Sequence, residues 1–191
     1  TWMPGSLAGA SQTFTPSGTS NYTVTGSNGT CVNTRTTTIT VVGSPTVNVT
    51  GTSTICSGNS TTLTATGAAS YLWMPGSLTG ATVTATPTVM TTYTVTGTSS
   101  VGCINTSVRT VSVNALPTIN ATASSTAICA GQSTTLTGTG GSTYTWNPGS
   151  VTGNPVAFTP TATTNYSVVG TGTNGCNNTA VRSVTVNAIP T

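Results

Sequence analysis

Residues 60–77 read STTLTATGAASYLWMPGS. Leu63 and Ala65 fall on one side of an extended chain and Thr62 and Thr64 on the other. Tyr71 and Trp73 again share a side, and Pro75-Gly76 then stops the run with the residue pair of a type II turn. Period-two alternation of Thr with apolar residues, bounded by Gly and Pro, is the pattern of a half-buried β-strand. No stretch of the chain has helical periodicity.

The end of that stretch occurs three times. TWMPGSLAGA stands at 1–10, LWMPGSLTGA at 72–81 and TWNPGSVTGN at 145–154. Trp2, Trp73 and Trp146 are 71 and 73 residues apart, and Cys31, Cys103 and Cys176 are 72 and 73 apart. Cys56 and Cys129 differ by 73, and Pro45, Pro117 and Pro190 by 72 and 73. A fixed period of this length describes a tandem array of small domains, each large enough for its own core. With junctions at the Pro-Thr pairs, residues 46–117 and 118–190 are complete modules. Residues 1–45 form the C-terminal part of another, and Thr191 starts a further one, so the chain is expected to be a segment of a longer array.

Each complete module holds six or seven short strands in about 72 residues, with turn residues every 8 to 12 positions. The expected fold is therefore all-β, a series of compact Ig-like β-sandwiches. Positions that align between copies mark the inward face: Tyr22, Tyr93 and Tyr166, and Val24, Val95 and Val168. Trp2, Trp73 and Trp146 fit a core position beside a tight turn. Asn28-Gly29 and Asn174-Gly175 are hairpin-turn pairs, whereas the middle copy carries Val101-Gly102.

Five cysteines are accounted for by module. Cys56 and Cys103 are 47 apart, as are Cys129 and Cys176. The shared separation predicts one disulfide per module, tying its start to its last hairpin. Cys31 is then half of a bond whose partner lies outside the sequence. Paired free thiols in the core are the alternative. Disulfide-closed small domains belong to oxidising, extracellular or cell-surface settings.

Composition narrows the chemistry. There is no Asp, Glu or His, and the three cationic side chains are Arg35, Arg109 and Arg182, one per module. General acid–base catalysis has almost no groups to use, so an enzyme is not expected. Thr1 could be an N-terminal nucleophile, but Thr145 stands in the same Thr-Trp context inside the chain. Calcium lacks carboxylates, so neither metal nor cofactor is expected. Isolated Arg residues do not make a nucleic-acid surface, and no apolar run is long enough to insert as a membrane helix. Thr and Ser exceed a third of the chain, and hydroxyl-linked sugars are expected to supply the solubility that charge does not.

The words ICSGNSTTLTATGAASYLWMPGS and ICAGQSTTLTGTGGSTYTWNPGS, each followed by a Tyr-containing strand and a second Cys, cover the array. They resemble the Ig-like or PKD-like repeats of giant Bacteroidota cell-surface proteins, among them type IX-secreted gliding adhesins of the SprB kind. The loop before the second Cys, where related repeats carry Asp, has none here. The resemblance implies an Ig-like fold, secretion, and a place in a long surface fibre. Partners would be neighbouring modules of the same chain or adjacent filament copies. Two alternatives follow from the residues: glycan binding through exposed aromatics such as Tyr71 and Trp73, and ice binding through flat Thr arrays such as TTTIT at 36–40.

Overall fold

The computed structural model describes residues 1–189. Pro190 and Thr191, on which the third junction and the start of a further module are expected, lie outside the described residues. Among the described residues there is no helix, only strands and turns. The chain divides into two compact units. One comprises Thr1–Thr50, Leu63–Val83 and Tyr93–Arg109, and the other Gly51–Thr62, Thr84–Thr92 and Thr110–Thr191.

The second unit contains an Ig-like sandwich of eight strands: β12 (Asn120–Ala123), β13 (Ala127–Cys129), β14 (Thr134–Thr139), β15 (Thr143–Asn147), β16 (Val151–Thr152), β17 (Val156–Phe158), β18 (Thr164–Thr171) and β19 (Asn177–Asn187). One sheet has the order β12-β14-β17 and the other β13-β19-β18-β15-β16. Neighbours are antiparallel except β13, which runs parallel to the end of β19 with Cys129 opposite Asn187. Alternation decides which side chains enter the sandwich. Leu136, Trp146, Val168 and Val184 are fully buried, with Ile119, Ile128 and Tyr166 packed around them. Phe158 lies between Trp146 and Tyr166, its ring centroid 6.4 Å from one and 4.5 Å from the other.

The preceding stretch repeats this plan eight strands earlier: β4 (Asn48–Gly51), β5 (Thr54–Cys56), β6 (Thr61–Thr66), β7 (Ser70–Met74), β8 (Leu78–Thr79), β9 (Thr82–Ala85), β10 (Thr91–Thr98) and β11 (Ile104–Asn114). Its sheets have the orders β4-β6-β9 and β5-β11-β10-β7-β8. Leu63, Trp73 and Val95 are fully buried, and Tyr71 and Tyr93 nearly so. Residues 1–45 supply β1 (Trp2–Met3), β2 (Ser20–Ser27) and β3 (Val32–Ile39), joined as the single sheet β1-β2-β3. There Tyr22 is buried, Trp2 and Val24 are half-buried, and β3 is exposed along nearly its whole length.

One turn departs from its expected form, and one that differs in sequence keeps the form of its counterpart. The last β7–β8 pair is Trp73 with Leu78, so Met74, the end of β7, and Pro75 to Ser77 stand between the paired residues. Gly76 supplies a positive φ of 102°, but Ser77 is also left-handed at 50° and the Met74–Pro75 bond is cis. This is a longer loop than a two-residue type II turn. The turn before Cys103, by contrast, matches that before Cys176 despite Val101. Gly102 N bonds Ser99 O and Gly175 N bonds Gly172 O, because Gly102 and Gly175 both provide the positive φ the turn needs.

Candidate functional site

The most constructed feature of the fold is a covalent link. Cys56 at the end of β5 is bonded to Cys176 in the loop before β19, with Cα atoms 5.6 Å apart. Cys31, Cys103 and Cys129 are free. The expected pairs Cys56–Cys103 and Cys129–Cys176 are therefore corrected. The reason is strand register. Cys129 stands opposite Asn187 at the far end of β19, while Cys176 immediately precedes the near end. Ten residue steps along a strand separate the ends by about 30 Å, against a disulfide limit of about 7 Å between Cα atoms. β5 has the same register on β11, with Cys56 opposite Asn114. The early cysteine of each repeat thus sits where its last strand finishes, not where it starts.

Around the bond, backbone and amide groups hold the chain in place. Ser57 N donates to Asn114 O at 2.8 Å, and Asn59 N to Cys56 O at 3.0 Å. Gly172 N donates to Cys176 O at 2.8 Å, and Asn174 Oδ1 accepts from Cys176 N at 3.1 Å. Two amides then reach the segment between β11 and β12. Asn174 Nδ2 donates to Ala115 O at 2.9 Å and Asn178 Nδ2 to Pro117 O at 3.1 Å. Cys176 is 1% exposed, so the bond is shielded from solvent on that side. Gly140 closes the arrangement: its φ is 90°, and a Cβ there would lie 1.8 Å from Thr118 O.

The free cysteines occupy equivalent positions. Cys103 is half-buried; its N donates to Ser99 Oγ, and its Sγ is 3.7 Å from Val42 O. Asn105 Nδ2 donates to Pro45 O at 2.9 Å, the counterpart of Asn178 on Pro117. Cys31 is exposed, and Asn28 Oδ1 accepts from its N at 2.8 Å. Cys129 is exposed too, yet its backbone surroundings copy those of Cys56: Ala130 N bonds Asn187 O and Gln132 N bonds Cys129 O, each at 3.0 Å.

From the sequence Asn28 and Asn174 read as turn residues, and the carbonyl contacts of Asn105, Asn174 and Asn178 are not foreseen, although a signal exists. Cys-x-Asn occurs at Asn33, Asn105 and Asn178. The aromatic residues lie elsewhere in the fold. Trp73 and Trp146 are fully buried, and Trp2 is half-buried. Trp2 Nε1 donates to Gly9 O and Trp73 Nε1 to Gly80 O, both at 3.0 Å, whereas Trp146 Nε1 is buried without a partner. The Tyr71 hydroxyl is engaged by Ala68 N and O. Arg35 is exposed, and Arg109 and Arg182 are half-buried, Arg182 standing opposite Tyr166 in the β18–β19 pair. Among the described residues no three His, Cys, Asp or Glu side chains stand together, and no helix is long and apolar enough to cross a membrane.

No family model matches the sequence, and no curated protein does. Solved structures with Ig-like domains are similar in fold. Titin domains I67–I69 align at 13% identity over 89% of this chain and 75% of theirs, with a TM-score of 0.43. A Ca2+-stabilised adhesin with which an Antarctic bacterium binds ice aligns at 14% identity over 90% of this chain and 57% of that one, TM-score 0.40. A 1.5-MDa bacterial ice-binding adhesin, studied for its retention at the host cell surface, aligns at 15% identity over 88% and 74%, TM-score 0.37.

Proposed function

We propose that this chain is a structural segment of a secreted, cell-surface adhesin or extracellular filament, of the kind its repeat words resemble, and acts as a stiff spacer. The observation that carries the reading is the Cys56–Cys176 bond with the Asn174 and Asn178 amides fastened on Ala115 and Pro117. Taking 46–117 and 118–190 as modules, the bond crosses from one to the next and the amides hold the short linker between them. Such a linker has little slack. A disulfide across 120 residues restricts the unfolded chain by about 5 kcal/mol in the chain-entropy model. Stiffness, reach and resistance to proteolysis are what these devices provide. The residue inventory leaves almost no acid–base groups, which favours a mechanical role, and disulfide closure favours an oxidising setting outside the cell.

A glycan-binding role would need exposed aromatic faces. Trp73 and Trp146 are core residues instead, so the spacer reading is favoured. Limited proteolysis of the oxidised chain, with a glycan array beside it, tests the choice. The linker at 115–118 should stay uncut and no sugar should bind. Rapid cleavage of that linker in the oxidised chain, or saturable sugar binding lost in Trp2→Ala, would overturn the spacer.

A further inference from the structure

The sheet that holds β7, β10 and β11 has an outer face, and alternation decides what stands on it. Leu72 and Met74 on β7 point away from the buried Tyr71 and Trp73. Thr94, Thr96 and Thr98 on β10 alternate with the buried Tyr93, Val95 and Gly97. Thr94 is paired with Met74, Thr96 with Leu72 and Thr98 with Ser70. On its other side β10 meets β11 through a hairpin in which Ser99 N donates to Cys103 O at 2.8 Å. That register sets Thr98 beside Ile104, Thr96 beside Thr106 and Thr94 beside Val108. A central column of threonines is thus flanked by Leu72 and Met74 on one side and by Ile104 and Val108 on the other. These four apolar residues are between 45 and 63% exposed. The fold does not require them. One repeat later the equivalents of Leu72, Met74 and Ile104 are Thr145, Asn147 and Asn177, on strands paired in the same way.

We infer that this face is a contact between copies of the chain, two of which pack their β7–β10–β11 faces together about a two-fold axis along β10. The inference rests on the spacer reading and names its partner, a second copy lying alongside. Symmetry is the first reason for that partner. An axis along β10 sets Leu72 and Met74 of one copy against Ile104 and Val108 of the other, with threonine against threonine, so the patch is its own complement. It also leaves the two β10 strands running the same way, as in copies extended side by side. Charge is the second reason. Arg109 lies on the opposite side of β11 from Val108, and the chain has no Asp or Glu, so the face is uncharged. Two copies meet there without repulsion, and a charged partner finds nothing to pair with. Size is the third. Three strands about 4.8 Å apart and five residues of about 3.3 Å each cover roughly 250 Å2, well under the ~800 Å2 per partner of a stable complex. A freely diffusing partner would not stay on so small a face. Copies held in parallel would, because their effective concentration is in the millimolar range.

The test is sedimentation velocity of the full 191-residue chain, its free thiols alkylated so that no disulfide can join copies. The chain should be monomeric at about 10 μM and reversibly dimeric toward about 1 mM, the range of a contact this small. Salt at about 1 M should leave the dimer intact or strengthen it, because no ion pair holds it. A Leu72→Thr, Met74→Asn, Ile104→Asn triple variant carries the residues that the next repeat has at these places. It should keep the circular dichroism spectrum of the parent and raise the dissociation constant at least about tenfold. Thr96→Arg, which sets two like charges together on the axis, should do the same. A chain still monomeric at about 1 mM, a dimer that salt dissolves, or a dimer that both variants keep overturns the inference. So does binding to phosphatidylcholine vesicles without self-association, which would give the face to a lipid surface. If the contact fails while the linker at 115–118 stays uncut by protease, the spacer reading survives. A chain that dimerises as described but loses that linker to protease overturns the spacer reading alone.

Discussion

Cys56 and Cys176 lie 5.6 Å apart at their Cα atoms with 120 residues of chain between them. Their bond fastens the end of β5 to the hairpin that precedes β19, beside the segment that joins β11 to β12. Non-reducing peptide mapping of the monomer should therefore recover one linked pair, Cys56 with Cys176. Cys56→Ser should lower unfolding stability by about 2 to 5 kcal/mol in a denaturant titration, whereas Cys103→Ser should change it little. A linked Cys56–Cys103 peptide would refute the register argument.

Gly140 places its Hα side against Thr118 O, with a φ of 90° and room for no Cβ. Gly67 makes the same approach to Thr46 O, also 1.8 Å from a Cβ position, with a φ of 95°. The first residue after Pro45 and after Pro117 is thus pressed onto the glycine that follows the third strand of its sandwich. Gly140→Ala combines a backbone clash with a disfavoured left-handed conformation and should cost more than about 2 kcal/mol. Circular dichroism melts of Gly140→Ala and of Gly138→Ala give the comparison. Gly138 has ordinary φ, and a Cβ there would meet the Tyr144 ring at 2.6 Å, a clash with a side chain and not with backbone. A Gly140→Ala protein as stable as the parent would show that the approach is not obligatory.

Trp73 and Trp146 are equally buried but differently bonded: only Trp73 Nε1 finds a carbonyl, that of Gly80. Replacement by Phe removes similar volume at both sites. At Trp73 it also discards a hydrogen bond and strands an acceptor, while at Trp146 it removes an unpartnered donor from the interior. Trp73→Phe should be the more damaging, by about 1 to 3 kcal/mol. Equal losses in urea unfolding would contradict the difference between the two indoles.

Much of this architecture is written locally. Leu63, Ala65, Tyr71 and Trp73 fall on the buried side of their strands because period-two alternation leaves an extended chain little choice. The disulfide partner is not local. A separation of 47 between early and late cysteines occurs in both copies that hold the two, and adding one period of 73 gives the 120 that separates Cys56 from Cys176. Only the parallel pairing of β5 on the end of β11, and of β13 on the end of β19, decides between them. The amides of Asn105, Asn174 and Asn178 were hidden for a related reason. Asparagine beside a turn usually serves the turn, and here, while its amide oxygen does so, its amide nitrogen donates to a carbonyl about 60 residues earlier.

The last expectation concerns pH. With no Asp, Glu or His and only Arg as cationic side chain, the chain has no group whose ordinary pKa falls between about 3 and 8 apart from its termini. Folded and unfolded states then bind the same number of side-chain protons across that range, and stability should be nearly flat. Alkali is different. Burial holds the Tyr166 phenol above its ordinary value of 10.0 by disfavouring the phenolate. As pH rises past 10.0 the unfolded chain releases that proton first, so the unfolded state is favoured and stability falls until the folded phenol also ionises. Denaturant titrations on the alkylated protein, in which free thiols cannot exchange, should show a plateau through acid and neutral pH and a decline only in alkali. Tyr166→Phe should flatten part of that decline. A marked loss of stability between about pH 4 and 8 would mean that some group other than these side chains governs the folded state.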